Sequence, residues 1–477
     1  MGIFFSAGET KTRPNVYQRY EKTGDNASSS AIVGVLAVPV QAEWGPLGKV
    51  TVHESSNSIR KTYGESLTVD AALETFKGGA SKVYCYRLGT GGKKASVDLK
   101  SDSGTASATV TALYEGTKDI RVSVRAKSVS GDSDDPTIET KELIVYNGTA
   151  KAETYEFSAG DDEISALVNA VKNSEYITVA AKSTGVTDKT IAIVASTSLT
   201  GGQNPTITNA DYSSALNAFE PYDFNMVCLD TVDSNVEAIL IEWLNRVYET
   251  GKLCFAAFGT TNSTETLDNI CTNAKALNNE KALYFGDYGY EADGTLVDGY
   301  QFVNRCAGVA ASTPTNESIV HKTIPGIATI VPRTNTEYET AIKAGVIMCS
   351  YSPNDVVWFD SGVTTLTTPS DNQDSGWKKY RRVATRFELM RRIDNVTAPL
   401  IGKINCDNDG VATVIQYGQG VLNDMIQERK LEAGATIIED PERPHAGDSA
   451  WFKITADDID SMEKIYLTYQ FRYSSNS

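Results

Sequence analysis

Hydrophobic spacing divides this chain into successive stretches of different period. Positions 31–40 (Ala-Ile-Val-Gly-Val-Leu-Ala-Val-Pro-Val) form a nearly continuous apolar run of buried-strand length, which Trp44-Gly45-Pro46 breaks. The spacing then predicts a short helix over 68–77 and a second buried strand over 82–88. Past Gly89-Thr90-Gly91-Gly92 the chain becomes rich in Ser, Thr, Val and Asp. Strands are predicted there at 105–114, 119–128, 141–147, 152–157, 176–181 and 189–195, separated by acidic turns such as 131–136. One helix fits 161–173, with Ile164, Leu167, Val168 and Val171 at helical spacing. From about 205 the pattern alternates. Helices are predicted at 211–219, 232–249, 264–277 and 298–311, and strands at 224–229, 253–258 and 282–285, as in an α/β layer with a largely parallel sheet. A further change falls near 362–376. Helices at 377–394 and 410–431 follow; the second places Val411, Val414, Ile415, Gly418, Leu422, Met425 and Ile426 on one face, and Gly434 ends it. Strands at 435–439 and 450–455 flank a Pro-rich turn.

The final apolar stretch alternates with period two. Ile465, Leu467, Tyr469, Phe471 and Tyr473 fall on one face, and Tyr466, Thr468, Gln470 and Arg472 on the other. A half-buried strand is expected, paired either in its own domain or with another chain, since an unpaired apolar edge invites addition. At the other end, residues 1–26 are polar with isolated aromatics, including Phe4, Phe5, Tyr17 and Tyr20. They read as an extended arm reaching at most about 85 Å at roughly 3.3 Å per residue.

Composition narrows the function classes. A hydrophobic fraction of 41% and a charged fraction of 22% are ordinary for globular protein, and 477 residues suffice for two to four domains. Positions 1–23 lack an apolar signal core, and no run is long enough to span a bilayer. A net charge of −17 disfavours general binding to nucleic acid or anionic membranes. The seven cysteines, in no CxxC pair and mostly in apolar surroundings, read as buried free thiols. The strand ends at Asp230, Gly259 and Gly286-Asp287 are where a parallel sheet would place a ligand. Yet no GxGxxG opens a helix there, and the chain has no Walker loop, nucleophile elbow or HExxH. The three histidines, His53, His321 and His445, fall in separate segments. Asp407-Asn408-Asp409-Gly410 lacks a calcium ligand series and reads as a turn and helix cap. No catalytic set, metal site or cofactor is expected. One basic segment stands out: 378–392 carries seven Lys/Arg against one Glu. It reads either as a solvated helix or as a surface for an acidic partner.

Three stretches together resemble the sheath proteins of contractile phage tails, a family shared with phage-tail-like bacteriocins and type VI secretion sheaths. The first runs from Gly34-Val35-Leu36-Ala37-Val38-Pro39-Val40 through Trp44-Gly45-Pro46-Leu47-Gly48-Lys49-Val50 and Tyr63-Gly64 to Lys77-Gly78-Gly79-Ala80-Ser81-Lys82-Val83-Tyr84-Cys85-Tyr86-Arg87. The second surrounds Arg391-Arg392-Ile393-Asp394. The third spans 411–473, with Ile437-Ile438-Glu439 and Trp451-Phe452-Lys453-Ile454.

The resemblance implies an α/β fold with an inserted β-sandwich. It divides the chain into an N-terminal linking arm (1–26), an N-terminal α/β part (27–91), the inserted sandwich (92–198), a subtilisin-like α/β domain without protease residues (199–360), an α+β C-terminal assembly domain (361–461) and a C-terminal linking arm (462–477). It implies stacked hexameric rings around an inner tail tube, with baseplate and terminator proteins as further partners. No direct nucleic acid contact or membrane insertion is implied. Assembly would occur in the bacterial host cytoplasm, the product residing in a virion or particle tail. The donor strands would carry Ile465, Leu467, Tyr469, Phe471 and Tyr473, and Tyr17 and Tyr20. The acceptor hairpin would present Ile437, Ile438, Trp451, Phe452 and Ile454. Lys378, Lys379, Arg381, Arg382 and Arg386 are expected to face an acidic tube. The expected role is mechanical and non-enzymatic; a non-contractile surface-array or adhesin protein and an α/β-domain enzyme are the alternatives.

Overall fold

The computed structural model describes residues 3–4, 17–18, 32–130, 137–182, 187–371 and 373–472. At the N-terminus β1 (Ile3–Phe4) pairs in parallel with β2 (Tyr17–Gln18). The body opens with β3 (Val35–Val40), β4 (Val50–His53), α1 (Ser56–Tyr63), α2 (Asp70–Lys77) and β5 (Lys82–Arg87). β6 (Lys94–Lys100), β7 (Ala106–Glu115), β8 (Ile120–Ser130), β9 (Thr137–Asn147), β10 (Ala150–Ser158), α3 (Glu163–Ala170), β11 (Ile177–Ala181) and β12 (Val194–Ser198) form a separate unit. The chain then returns to the body with α4 (Asn209–Phe219), β13 (Met226–Val227), α5 (Ser234–Glu249), β14 (Phe255–Gly259), α6 (Leu267–Leu277) and β15 (Ala282–Phe285). A small patch of β16 (Gly289–Tyr290), β17 (Leu296–Val297) and β18 (Thr329–Ile330) brackets α7 (Gly299–Ser312), and α8 (Asn335–Lys343) leads into β19 (Val346–Ile347), β20 (Cys349–Tyr351) and β21 (Val357–Phe359).

One seven-stranded sheet organises the body, in the order β19-β15-β14-β13-β3-β5-β4. Every pairing in it is parallel except β4 with β5. The first 90 residues and the later α/β stretch therefore share one sheet, and β6–β12 are inserted between them. Apolar side chains cover both sheet faces. Leu36, Val38, Phe255 and Phe285 pack on one side with α2 and α7, and Ala37, Val227, Phe258 and Tyr284 on the other with α4 and α5. Burial on both faces explains the continuous apolar strands in the sequence.

The inserted unit carries two antiparallel sheets, β10-β9-β8-β12 and β11-β7-β6, around a common core that includes Leu99, Val110, Val122, Leu143, Phe157 and Leu167. Its strands fall near where period-two spacing places them, with two differences. β6 went unpredicted because its inward positions are the small Ala95 and widely spaced Leu99. β12 begins at Val194, five residues later than expected, with Ile193 56% exposed. In the body, β4 and α1 were also missed, since their polar-rich sequences hide a few buried anchors such as Ile59 and Tyr63.

The C-terminal part has α9 (Tyr380–Thr397), α10 (Asn408–Gln427), β22 (Thr436–Glu439) and β23 (Phe452–Thr455). Asp407 caps α10, its carboxylate accepting from the Gly410 amide at 2.8 Å. Six of the seven cysteines are buried as free thiols, and Cys406 is exposed. No helix among the described residues is long and apolar enough to cross a membrane.

Candidate functional site

The strand ends of the body sheet are occupied by the chain's own side chains. Asp230, 1% exposed beyond β13, accepts from the Tyr212 hydroxyl at 2.9 Å and from the Thr68 hydroxyl. Burial pushes its carboxyl from 3.8 up to about 6, against the lowering effect of these hydrogen bonds. Asp287, beyond β15, pairs with Arg333 at 2.9 Å and accepts from the Cys349 amide at 2.7 Å. Gly259 admits the Val303 side chain, which would lie 2.3 Å from an added Cβ. The histidines lie apart. His53 bonds Thr51 and Ser58, His321 stacks on Trp358, and His445 contacts Glu439.

The C-terminal hairpin is a different kind of site. β22 and β23 pair antiparallel, with Ile437 opposite Ile454, Ile438 opposite Lys453, and Glu439 opposite Phe452. Its inner face rests on α10, where an added Cβ at Gly418 would meet Ile437 at 2.7 Å. The sheet has only these two strands among the described residues, so both edges lack a ladder partner. Ile438, Trp451 and Ile454 are 48%, 39% and 38% exposed, whereas Ile437 is buried.

The terminal segment makes no ladder within the chain through residue 472. Ile465, Leu467, Tyr469 and Phe471 stand 71%, 69%, 72% and 93% exposed, and the last two rings stack at 6.3 Å. The expected strand therefore has no ladder partner among the described residues. Tyr473 and Tyr20 lie outside the described residues. Tyr17 lies in β2, paired with β1 of its own arm.

The base of this tail is tied down. Glu463 accepts from Ser318 and Lys379, both at 3.0 Å, and Asp460 pairs with Lys379 at 2.6 Å. Asp458 receives both Arg382 and Arg386, the latter at 2.9 Å. Burial alone would raise the Asp458 carboxyl; the two hydrogen-bonded guanidinium groups outweigh it and hold the group below the usual carboxylate range.

These contacts correct the expectation of a free basic face. Arg386 also pairs with Asp374, Arg381 is 5% exposed and donates to the Thr315 and Asn316 carbonyls, and Lys378 donates to the Thr367 carbonyl at 2.7 Å. Counting charge within 378–392 could not register acids that the fold brings from 374 and 458–463. The signal that existed was the acidic run Asp457-Asp458-Ile459-Asp460, which went unmatched to the cations.

Comparison with known proteins agrees with this architecture. Residues 206–365 match the family model of the phage tail sheath protein central domain. Protein YqbK of Bacillus subtilis (strain 168) is 23% identical over 99% of this chain and 100% of its own length. The tail sheath protein of Clostridium phage phiCD119 is 21% identical over 48% of this chain and 60% of its own length. Among solved structures, the sheath tail protein of Desulfitobacterium hafniense superposes with a TM-score of 0.71 at 18% identity, covering 93% of this chain and 100% of that one. The helical sheath of the anti-feeding prophage in its contracted state gives 0.55 at 9% identity, covering 97% and 99%.

Proposed function

From a chain that carries the central domain of phage tail sheath proteins, we propose a structural subunit of a contractile tail sheath, joined to its neighbours by exchanged terminal strands. The carrying observation is the pairing of two incomplete elements in one molecule. Among the described residues the hairpin has two open edges, and a tail of strand period exposes Ile465, Leu467, Tyr469 and Phe471. Each contact completes a neighbour, a head-to-tail joint of the kind that builds rings and helical polymers.

In this proposal copies stack as hexameric rings around an inner tube, and contraction drives the tube through a bacterial envelope. Baseplate and terminator proteins close the ends. Assembly takes place in the host cytoplasm, and the product resides in a particle tail. The chain divides near 26, 91, 198, 360 and 461 into arm, α/β part, inserted sandwich, subtilisin-like domain, assembly domain and second arm. Main-chain hydrogen bonds in each joint contribute only about 1 kcal/mol apiece, but they act in parallel through the lattice. Work on contraction comes from surface withdrawn from water, at roughly 25 cal/mol per Å² of apolar area, without nucleotide hydrolysis. Lys378, Lys379, Arg381, Arg382 and Arg386 each already donate to the chain's own groups, which argues against their serving as the inner-tube contact.

Truncation after Lys464 tests the reading while keeping the Glu463 anchor. The expected product is a folded subunit, with unchanged far-ultraviolet circular dichroism, that forms no cylinders under electron microscopy. Cylinders of normal length from the truncated chain would refute strand exchange through this tail.

A further inference from the structure

A lysine stands in the core of the inserted unit. Lys141 lies on β9, on the face shared by Leu143 and Val145, and is 3% exposed. Its ammonium donates to the Glu163 carboxylate at 2.8 Å and to the Ile191 carbonyl at 2.6 Å, so two of its three donors are held. The Asp102 carboxylate stands 3.9 Å from the same nitrogen, beyond hydrogen-bond reach. A buried ion pair of this kind stabilises a fold no better, as a rule, than apolar side chains of similar volume. The segment 190–191 fixes all three groups. The Thr190 hydroxyl accepts from the Asp102 amide at 2.9 Å, the Ile191 carbonyl holds Lys141, and the Ile191 amide donates to Glu163 at 2.7 Å. β9 belongs to the four-stranded sheet of the insert, and Asp102 follows β6 of the three-stranded one.

We propose that Lys141 and Asp102 condense into an amide, which ties the two sheets of the insert together covalently, with Glu163 as the acid–base group. Glu163 takes a proton from the ammonium, and the freed lone pair of Nζ attacks the Asp102 carboxyl carbon. A C–N bond forms and one C–O bond breaks. Two protons of the former ammonium leave with the departing oxygen as water, relayed through Glu163, which ends as it began. The atoms balance without an oxidant or an activated ester. Condensation between free partners in water is unfavourable, but groups held in register act at effective concentrations of about 10⁵–10⁸ M. The Asp102 side chain is 59% exposed, which gives the water a way out, whereas Lys141 and Glu163 are sealed. The bond lies wholly within one subunit, so the inference stands apart from strand exchange.

Mass spectrometry of the purified full chain tests the bond. The expected mass is one water below that of the polypeptide. Trypsin should release residues 101–118 joined to 128–151, because a bonded Lys141 is no longer cleaved. Asp102→Ala leaves the buried pair in place and should restore the full mass, and Asp102→Asn should lose ammonia instead of water. Glu163→Gln keeps an acceptor for the Ile191 amide but cannot carry the proton. It should show the full mass with an unchanged circular dichroism spectrum. A wild-type chain at its full mass would overturn the proposal. Water loss persisting in Asp102→Ala would place the condensation elsewhere, and loss persisting in Glu163→Gln would remove Glu163 from the reaction.

Discussion

Asp230 pairs a recognisable sequence position with an environment that the sequence conceals. It ends the predicted strand over 224–229, so its placement at the edge of the sheet was readable. Its partners were not, because Thr68 and Tyr212 arrive from 162 and 18 residues away. With its pKa raised from 3.8 to about 6, the folded state holds a proton that the unfolded state releases between those values. The contribution of this group to stability is therefore greatest below about pH 4 and falls as pH rises through about 6. Asp230→Asn removes the ionisation and keeps an oxygen for the Tyr212 hydroxyl, while the Thr68 hydroxyl can turn to accept. In urea unfolding the variant should match the wild type at pH 4 and exceed it at pH 7.5, by roughly 1–3 kcal/mol. A variant weaker than the wild type at pH 7.5 would mean that the carboxylate is a stabilising anion in the fold.

At the scale of elements, α2 and α7 approach through bare backbone. A Cβ at Gly308 would lie 2.3 Å from the Thr75 carbonyl oxygen, and one at Gly78 would lie 2.1 Å from the Arg305 carbonyl oxygen. The contact seats the fully buried Arg305 against Glu74 at 2.6 Å. Gly308→Ala gains up to about 1 kcal/mol in helix propensity and loses about 1–3 kcal/mol to overpacking. A lower urea midpoint is expected, and an unchanged or raised midpoint would show that the helices separate at little cost. The helices themselves were legible, because their apolar faces repeat at 3.6 residues. Their approach distance was not, since a glycine in a helical pattern looks like a simple weakness. The hairpin was legible from two short apolar runs around a Pro-rich turn. The tail was legible in its period, and its lack of a ladder partner among the described residues is the finding that the period could not supply. The basic segment 378–392 reads as a free surface in sequence because its acidic partners lie up to 84 residues away, as with Lys379 and Glu463.

At the scale of the whole molecule, the inserted unit is locked to the body by residues that in the sequence only interrupt an apolar run. Trp44, in the loop after β3, is 4% exposed and belongs to the core of the inserted unit, with its ring 5.1 Å from Tyr114 and 6.0 Å from Tyr176. Arg87, at the end of β5 and fully buried, donates to the carbonyls of Ala42, Gly45 and Glu115 at 2.8–2.9 Å, spanning body and insert. The two connecting segments pair with each other through Thr90–Thr206, Lys93–Gln203 and Ser96–Thr200 bridges. Three separate sets of contacts thus tie the insert to the body. Trp44→Ala removes the plug but leaves Arg87 and the paired segments. The expected cost is about 3–5 kcal/mol, borne by the insert and its joint. Calorimetry should then show the insert melting earlier, as a transition resolved from that of the body, and limited proteolysis should cut sooner near 88–94 and 199–206. Cylinder formation should persist, because Trp44 packs in the insert core while the exchanged elements belong to the hairpin and tail. If Trp44→Ala melted as the wild type does, the guanidinium fork and the bridges alone would fix the insert. If it abolished cylinders while the body stayed folded, a rigid insert would itself be a requirement of the lattice.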